Sequence, residues 1–101
     1  MHFDDRLATV LRHRATGERA ARTQYRQLLD LLGEARDDAD RSLLASAWLR
    51  LGALGEKIPA AERAQIVREH GNRIRNPQLA AHLAEDEPAV AAAALGTARM
   101  A

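Results

Sequence analysis

The sequence of 101 residues contains no cysteine, only three prolines, and one residue each of Phe, Tyr and Trp. Without cysteine, the chain cannot form a disulfide framework, perform thiol chemistry or bind zinc through thiolates. It also lacks any apolar run near the roughly 20 residues that a transmembrane helix needs. Its acidic start is unlike a signal peptide. These absences predict a soluble chain in a reducing compartment, which we interpret as the cytoplasm.

Hydrophobic residues make up 47% of the chain, and most of them are alanine or leucine. Valine, isoleucine and threonine, which favour strands, are few. Alanine and leucine favour helices, and a chain of this length can bury a single core. The composition therefore predicts one all-α domain over residues 1–101.

Apolar residues spaced three or four apart predict two helices in the first third of the chain. The first helix covers about 3–14. The second begins after Thr16, a candidate N-cap, and runs to Leu32, with Gly33 as its stop signal. We interpret residues 1–33 as a helical hairpin, followed by a linker that ends in three aspartates.

The third predicted helix, over about 41–56, has the clearest apolar stripe of the chain. Burial of its large side chains would remove several hundred Å² of apolar surface from water, on the order of 10 kcal/mol before chain entropy is subtracted. We therefore expect Trp48 and Leu51 to hold the core.

Three shorter helices are predicted to follow, which gives about six helices in all. One begins at Pro59, and the other two follow the N-cap residues Asn76 and Asp86. Two proline-started helices this close together predict a tight hairpin. Short, alanine-rich helices are typical of stacked repeats, so we expect HEAT-like packing in residues 40–101.

Sequence runs in both halves resemble known bacterial proteins. The second half contains two such runs, Asn76-Pro77-Gln78-Leu79-Ala80 and Leu83-Ala84-Glu85-Asp86-Glu87-Pro88-Ala89-Val90-Ala91. Both runs resemble a HEAT-like helical-repeat family of unassigned function. Residues 1–32 resemble the N-terminal region of sensor histidine kinases, most clearly in the run Arg26-Gln27-Leu28-Leu29-Asp30-Leu31-Leu32. This resemblance implies a signal-input region at the N-terminus of a larger two-component kinase, followed by sensor and kinase domains. A Gly-rich ATP lid and an Asn-containing nucleotide box are both missing, so the chain would not itself phosphorylate.

No pattern of residues predicts a catalytic, cofactor or metal site. The four histidines lack the three- or four-residue spacing that places metal ligands on one helical face. His13 and His82 are candidate phosphoacceptors, but neither has the neighbouring residues that such sites use. Pairs of acidic residues fall at predicted helix starts, where capping explains them. We therefore expect no cofactor and no catalysis by this chain, and a phosphotransfer module is the least favoured alternative.

One candidate interaction site consists of Leu28, Leu31 and Leu32, which occupy more than one face of the second helix. They either pack internally against the third helix or form a self-association surface. Kinase input regions work as dimers, so the resemblance favours a homodimer.

A second candidate is a basic stripe on the first two helices, formed by Arg12, Arg19, Arg22 and Arg26. Such a stripe can contact phosphates, which makes a nucleic-acid-binding regulator the main alternative function. However, the formal net charge of the chain is only +1, and a charge run usually solvates a helix face.

Overall fold

In a computed structural model, the protein is described over residues 3–35, 38–69 and 76–100, with residues 95–100 described by backbone alone. These described residues form six α-helices and no β-strand, which confirms the predicted all-α class. The helices are α1 (Phe3–Arg12), α2 (Glu18–Glu34), α3 (Arg41–Lys57), α4 (Ala60–Glu69), α5 (Pro77–Ala84) and α6 (Pro88–Met100). None of the described helices is both long and apolar enough to cross a membrane.

Side-chain caps fix the starts of α3 and α5. Asp40 accepts a hydrogen bond from the backbone N–H of Leu43 at 3.0 Å, so it is the one of the three linker aspartates that caps α3. Asn76 caps α5 as predicted, and its side-chain oxygen accepts from the N–H of Gln78 at 2.8 Å. Pro77 then occupies the first turn, where its missing N–H costs nothing.

The predicted limits of α2 were wrong at both ends. The N-cap is Gly17 rather than Thr16, and it makes no side-chain cap. Its φ of +87° is a backbone conformation that residues with a side chain rarely adopt. The helix therefore begins at this position because glycine can adopt that φ. At the other end, Gly33 is buried within the helix, which continues to Glu34 because internal packing outweighs the low helix propensity of glycine.

The prediction that Asp86 caps the last helix was also wrong. The helix begins at Pro88, and the carbonyl of Glu87 accepts the first helical bond, from Val90. The Asp86 carboxylate instead pairs with Arg63 on α4, while it also accepts from the N–H of Glu87.

The core lies where α2 meets α1, α3 and α5, and where α6 packs on α4 and α5. The contact between α5 and α6 agrees with the predicted hairpin. Leu51 is buried in this core, as expected. Trp48 is only half-buried, because it packs on the edge of the core with its ring against His82, so the core is held by other residues. The largest fully buried side chains are Leu7, Tyr25, Leu28, Leu29, Leu32, Leu51, Ile66, Val67, Leu79, Leu83 and Val90.

Two polar side chains close the C-terminal end of α1. Gln24 is buried, and its amide nitrogen donates to the carbonyls of Val10 and His13. Arg50 reaches the same end from α3 and donates to Leu11 at 3.1 Å and to His13 at 3.0 Å. These bonds satisfy carbonyls that a helix end leaves without intrahelical partners. They tie α1, α2 and α3 together.

Candidate functional site

One face of α3 points away from the core along the whole helix. At about 100° of rotation per residue, seven residues fall within about 60° of Leu49. All seven are exposed, and we call them the outer face of α3: Ser42, Ala45, Ser46, Leu49, Gly52, Ala53 and Glu56.

The outer face of α3 is small, smooth and almost free of charge. Leu49 at its centre is 78% exposed, which is the largest exposure of any large apolar side chain among the described residues. Glu56 carries the one charge among the seven. Arg50 adds none, because its guanidinium is turned inward onto the end of α1. An exposed helix face normally carries solubilising charges, so this composition is typical of a surface that packs on another protein.

Charged residues flank the outer face of α3 with opposite signs at matching distances. Asp40 and Arg41 precede it, and Glu56 and Lys57 end it. In an antiparallel pair of identical helices centred between positions 48 and 49, Arg41 lies opposite Glu56 and Asp40 lies opposite Lys57. The pattern is therefore complementary to itself under a two-fold axis.

An open groove of about 530 Å³ adjoins this face, between α3 and the turn that joins α5 to α6. Gly52 and Gly55 contribute α3's side of the groove, and His82 and the acidic run Glu85, Asp86 and Glu87 contribute the other side. With Glu56, four carboxylates line the groove against the single guanidinium of Arg63.

Arg63 holds the walls of this groove together. Its side chain is 10% exposed, and it donates to the Asp86 carboxylate through Nη2 at 2.8 Å and Nε at 3.3 Å. Nη1 donates to the carbonyls of Gly55, at 2.6 Å, and Ile58. One guanidinium thus closes the end of α3 and fixes the α5–α6 turn on α4. No local sequence pattern marks Arg63 as a structural residue, because its partner lies 23 residues away.

Tyr25 lines the same groove from α2 and is only 2% exposed. The pKa of Tyr25 is raised from 10.0 to about 12, mainly by burial and to a smaller extent by the carboxylate of Asp86, while the charge of Arg63 opposes the rise. The phenol is therefore neutral at physiological pH and keeps its proton as a donor.

The leucines predicted for self-association lie inside the protein. Leu28, Leu31 and Leu32 are all buried within the single chain. Of the two interpretations that the sequence left open, internal burial is therefore the one that the structure favours. A signal for the exposed site was present, because Leu49 is the leucine of α3 that does not fit the apolar stripe.

The arginines of the basic stripe are partly neutralised. Arg22 pairs with Glu62 at 2.9 Å and Arg26 pairs with Glu69 at 3.2 Å, which links α2 to α4. Arg12 and Arg19 are exposed. Two of the four predicted phosphate contacts thus already have carboxylate partners, which weakens the case for nucleic-acid binding.

The two histidine candidates lie apart. His13 is exposed just after α1, and its backbone carbonyl accepts hydrogen bonds from Gln24 and Arg50. His82 is also exposed, with its ring centroid 5.2 Å from that of Trp48, and it borders the acidic side of the groove. His2 and His70 lie outside the described residues. Within the described ranges, no three His, Asp or Glu side chains are placed to hold a metal ion.

Comparisons of the chain with models of protein families, with curated proteins and with solved structures find no match. The described residues define an all-α helical bundle whose outer helix face, on α3, carries a single charge.

Proposed function

We propose that this chain is a non-catalytic protein-interaction module that pairs with a second copy of itself through the outer face of α3. The observation that carries the proposal is the 78% exposure of Leu49 at the centre of a face on which one residue in seven is charged. Burying that face removes apolar surface from water without stripping charges of their hydration.

A second copy is the partner that the charge pattern favours. Small residues on both sides of Leu49 allow two α3 helices to approach closely, and an antiparallel arrangement sets Arg41 against Glu56 at each end. One helix pair buries less than the about 800 Å² per partner of a standard interface, so we expect association at micromolar or higher concentrations.

The resemblance to sensor histidine kinases suggests the context of this module. As a cytoplasmic N-terminal input region with HEAT-like helices, it would bring two kinase chains together. A signal that favours the paired state would then shift the population of kinase dimers. This part of the proposal rests on the resemblance rather than on the geometry.

The test is the solution mass over a concentration series up to about 1 mM, the range in which weak self-association is populated. We expect the intact chain to rise from 11.1 kDa toward twice that mass. Leu49→Glu places a charge at the centre of the interface and should stay monomeric. Ala89→Glu, a change at an exposed position on α6, should associate like the intact chain. An intact chain that remains monomeric throughout would contradict the proposal.

A further inference from the structure

A second groove, of about 330 Å³, lies between the segment that joins α1 to α2 and the C-terminal half of α3. Three of its lining residues are cationic, namely Arg14, Arg50 and Lys57, and none is acidic. We call it the basic groove, and its other lining residues are Ala15, Thr16, Ala53 and Leu54. An adjoining groove that shares the α1–α2 segment also has no acidic lining residue. The positive potential of this region is therefore not cancelled by carboxylates in either groove.

The three cations of the basic groove have no carboxylate partner among the described residues, whose ion pairs involve other arginines. Arg14 and Lys57 are exposed to solvent. Arg50 is half-buried, and its guanidinium donates only to uncharged acceptors, which are two backbone carbonyls and the side-chain oxygen of Gln24. Burial removes part of the hydration of a charge, so a half-buried guanidinium gains most from a full counter-charge. Arg50 is thus an independent indication that this groove takes an anion.

The ends of two helices supply part of the negative charge that the groove lacks. α1 ends beside Arg50, which donates to the carbonyl of Leu11, and α3 ends at Lys57. The carbonyl end of a helix acts as about half of an elementary negative charge, so the two ends offset about one of the three positive charges. An excess of about two positive charges remains. A phosphate monoester, which carries about −1.5 to −2 at pH 7, matches that excess.

We infer that the basic groove binds the phosphoryl group of a small phosphorylated molecule, with Arg14 and Lys57 as its ionic contacts. The hydroxyl of Thr16 is a further donor in the lining, and guanidinium N–H groups suit phosphate oxygens because they can donate in pairs. The apolar lining residues offer a wall to the rest of the molecule, namely Ala15, Ala53 and Leu54. A volume of about 330 Å³ is at the small end of the range for such sites.

Phenyl phosphate is the probe that we would use, with phenyl sulfate as its matched control. The two have the same shape, but the sulfate carries a single negative charge. At neutral pH and constant ionic strength, phenyl phosphate should shift the amide resonances of Arg14, Thr16 and Lys57 in a saturable manner. Phenyl sulfate should bind roughly threefold more weakly or worse, because one charge neutralises only about half of the excess.

Three charge-removing variants test the assignment of residues. Arg14→Met and Lys57→Met are exposed changes that should each weaken phenyl phosphate binding roughly three- to fivefold. Arg68→Met removes the same charge from an exposed position on α4 and should leave binding unchanged. Circular dichroism confirms that each variant is folded.

The inference is overturned if phenyl phosphate produces no saturable shift below about 10 mM, or if phenyl sulfate binds equally well. It is equally overturned if Arg68→Met weakens binding as much as Arg14→Met, since the anion would then respond to overall charge alone. A short single-stranded oligonucleotide that competes for the groove and binds about a hundredfold more tightly than phenyl phosphate would overturn it in favour of nucleic acid.

The inference does not depend on the proposed pairing of α3 helices. Leu49→Gln removes the apolar centre of the outer face of α3 without adding a charge, and this variant should still bind phenyl phosphate. Conversely, Arg14→Met should still pair through α3. Failure of one proposal is therefore distinguishable from failure of the other.

Discussion

Nη1 of Arg50 lies 2.7 Å from the side-chain oxygen of Gln24, and both side chains bind the carbonyl of His13 at the end of α1. The amide of Gln24 is buried, so its donor and acceptor atoms depend on these protein partners rather than on water. Three helices therefore meet at one small polar cluster.

Because this cluster closes a helix end inside the protein, we expect Arg50→Met to lower the free energy of unfolding by about 2 kcal/mol. Gln24→Leu should have a similar effect, and the double variant should be less destabilised than the sum, because the two side chains share one network. Urea unfolding monitored by circular dichroism measures all three. Arg19→Met, an exposed change on α2, should stay within about 0.5 kcal/mol of the intact chain. If the losses in free energy of unfolding from Arg50→Met and Gln24→Leu are strictly additive, the two side chains do not share a network.

Among the charged residues that the structure describes, Arg63 should be the one whose replacement lowers the free energy of unfolding most. Arg63→Met leaves Asp86 without its partner and two carbonyls without donors, so we expect a loss of about 3 kcal/mol in the free energy of unfolding. Arg63→Lys keeps the charge but cannot form the paired contact, and it should recover only part of that loss. Arg68→Met on the same helix is the matched control, since Arg68 is exposed. Equal stability of the Arg63→Met and Arg68→Met variants would show that the pair contributes little.

Replacing each of two glycines by alanine should change the stability of the protein in opposite directions. Gly17→Ala forces a side chain onto a φ of +87° and should destabilise the protein by about 1–2 kcal/mol. Gly52→Ala lies within α3 with nothing within 4 Å of the added atom, and it should stabilise by about 0.5–1 kcal/mol. Thermal unfolding in dilute solution compares the two. A destabilising Gly52→Ala would contradict the open space assigned to that position.

Tyr25 predicts how stability depends on alkaline pH. Its pKa is about 12 in the folded protein and near 10.0 when unfolded, so the unfolded chain loses the proton first. The associated stability is fully present below pH 10 and falls as the pH rises toward 12, by on the order of 3 kcal/mol at most. Tyr25→Phe should remove this part of the pH dependence. Since Tyr25 is the one tyrosine of the chain, tyrosinate absorbance reports it directly. Titration of the folded protein near pH 10 would refute the prediction.

The features that the sequence predicted correctly are those with a local cause. Asn76 followed by Pro77 has its effect within a single turn, and the end of α3 follows from the restriction that Pro59 places on Ile58. Asp86 shows the opposite case. Its position before Pro88 indicates a cap, yet a guanidinium 23 residues earlier in the chain takes the carboxylate.

The candidate site was less predictable because it depends on which side of each helix faces inward. Composition showed a surplus of leucine, but Leu28 and Leu32 are covered by the other helices whereas Leu49 is not. The groove likewise joins residues from four helices and a turn, whose proximity only the tertiary packing determines. The HEAT-like stacking of the second half stays a prediction.

The most direct test of α3 pairing uses the absence of cysteine from the chain. Across an antiparallel pair, the two copies of position 49 meet at the two-fold axis, within the distance of about 7 Å that a disulfide bond needs. Position 42 lies between six and seven residues from that axis, so its two copies are about 20 Å apart at 1.5 Å per residue. We expect Leu49→Cys to form a cross-linked dimer on mild oxidation and Ser42→Cys to stay monomeric. A mixture of Ser42→Cys and Glu56→Cys should cross-link as a heterodimer. Equal cross-linking at positions 42 and 49, or none at position 49, would contradict the account.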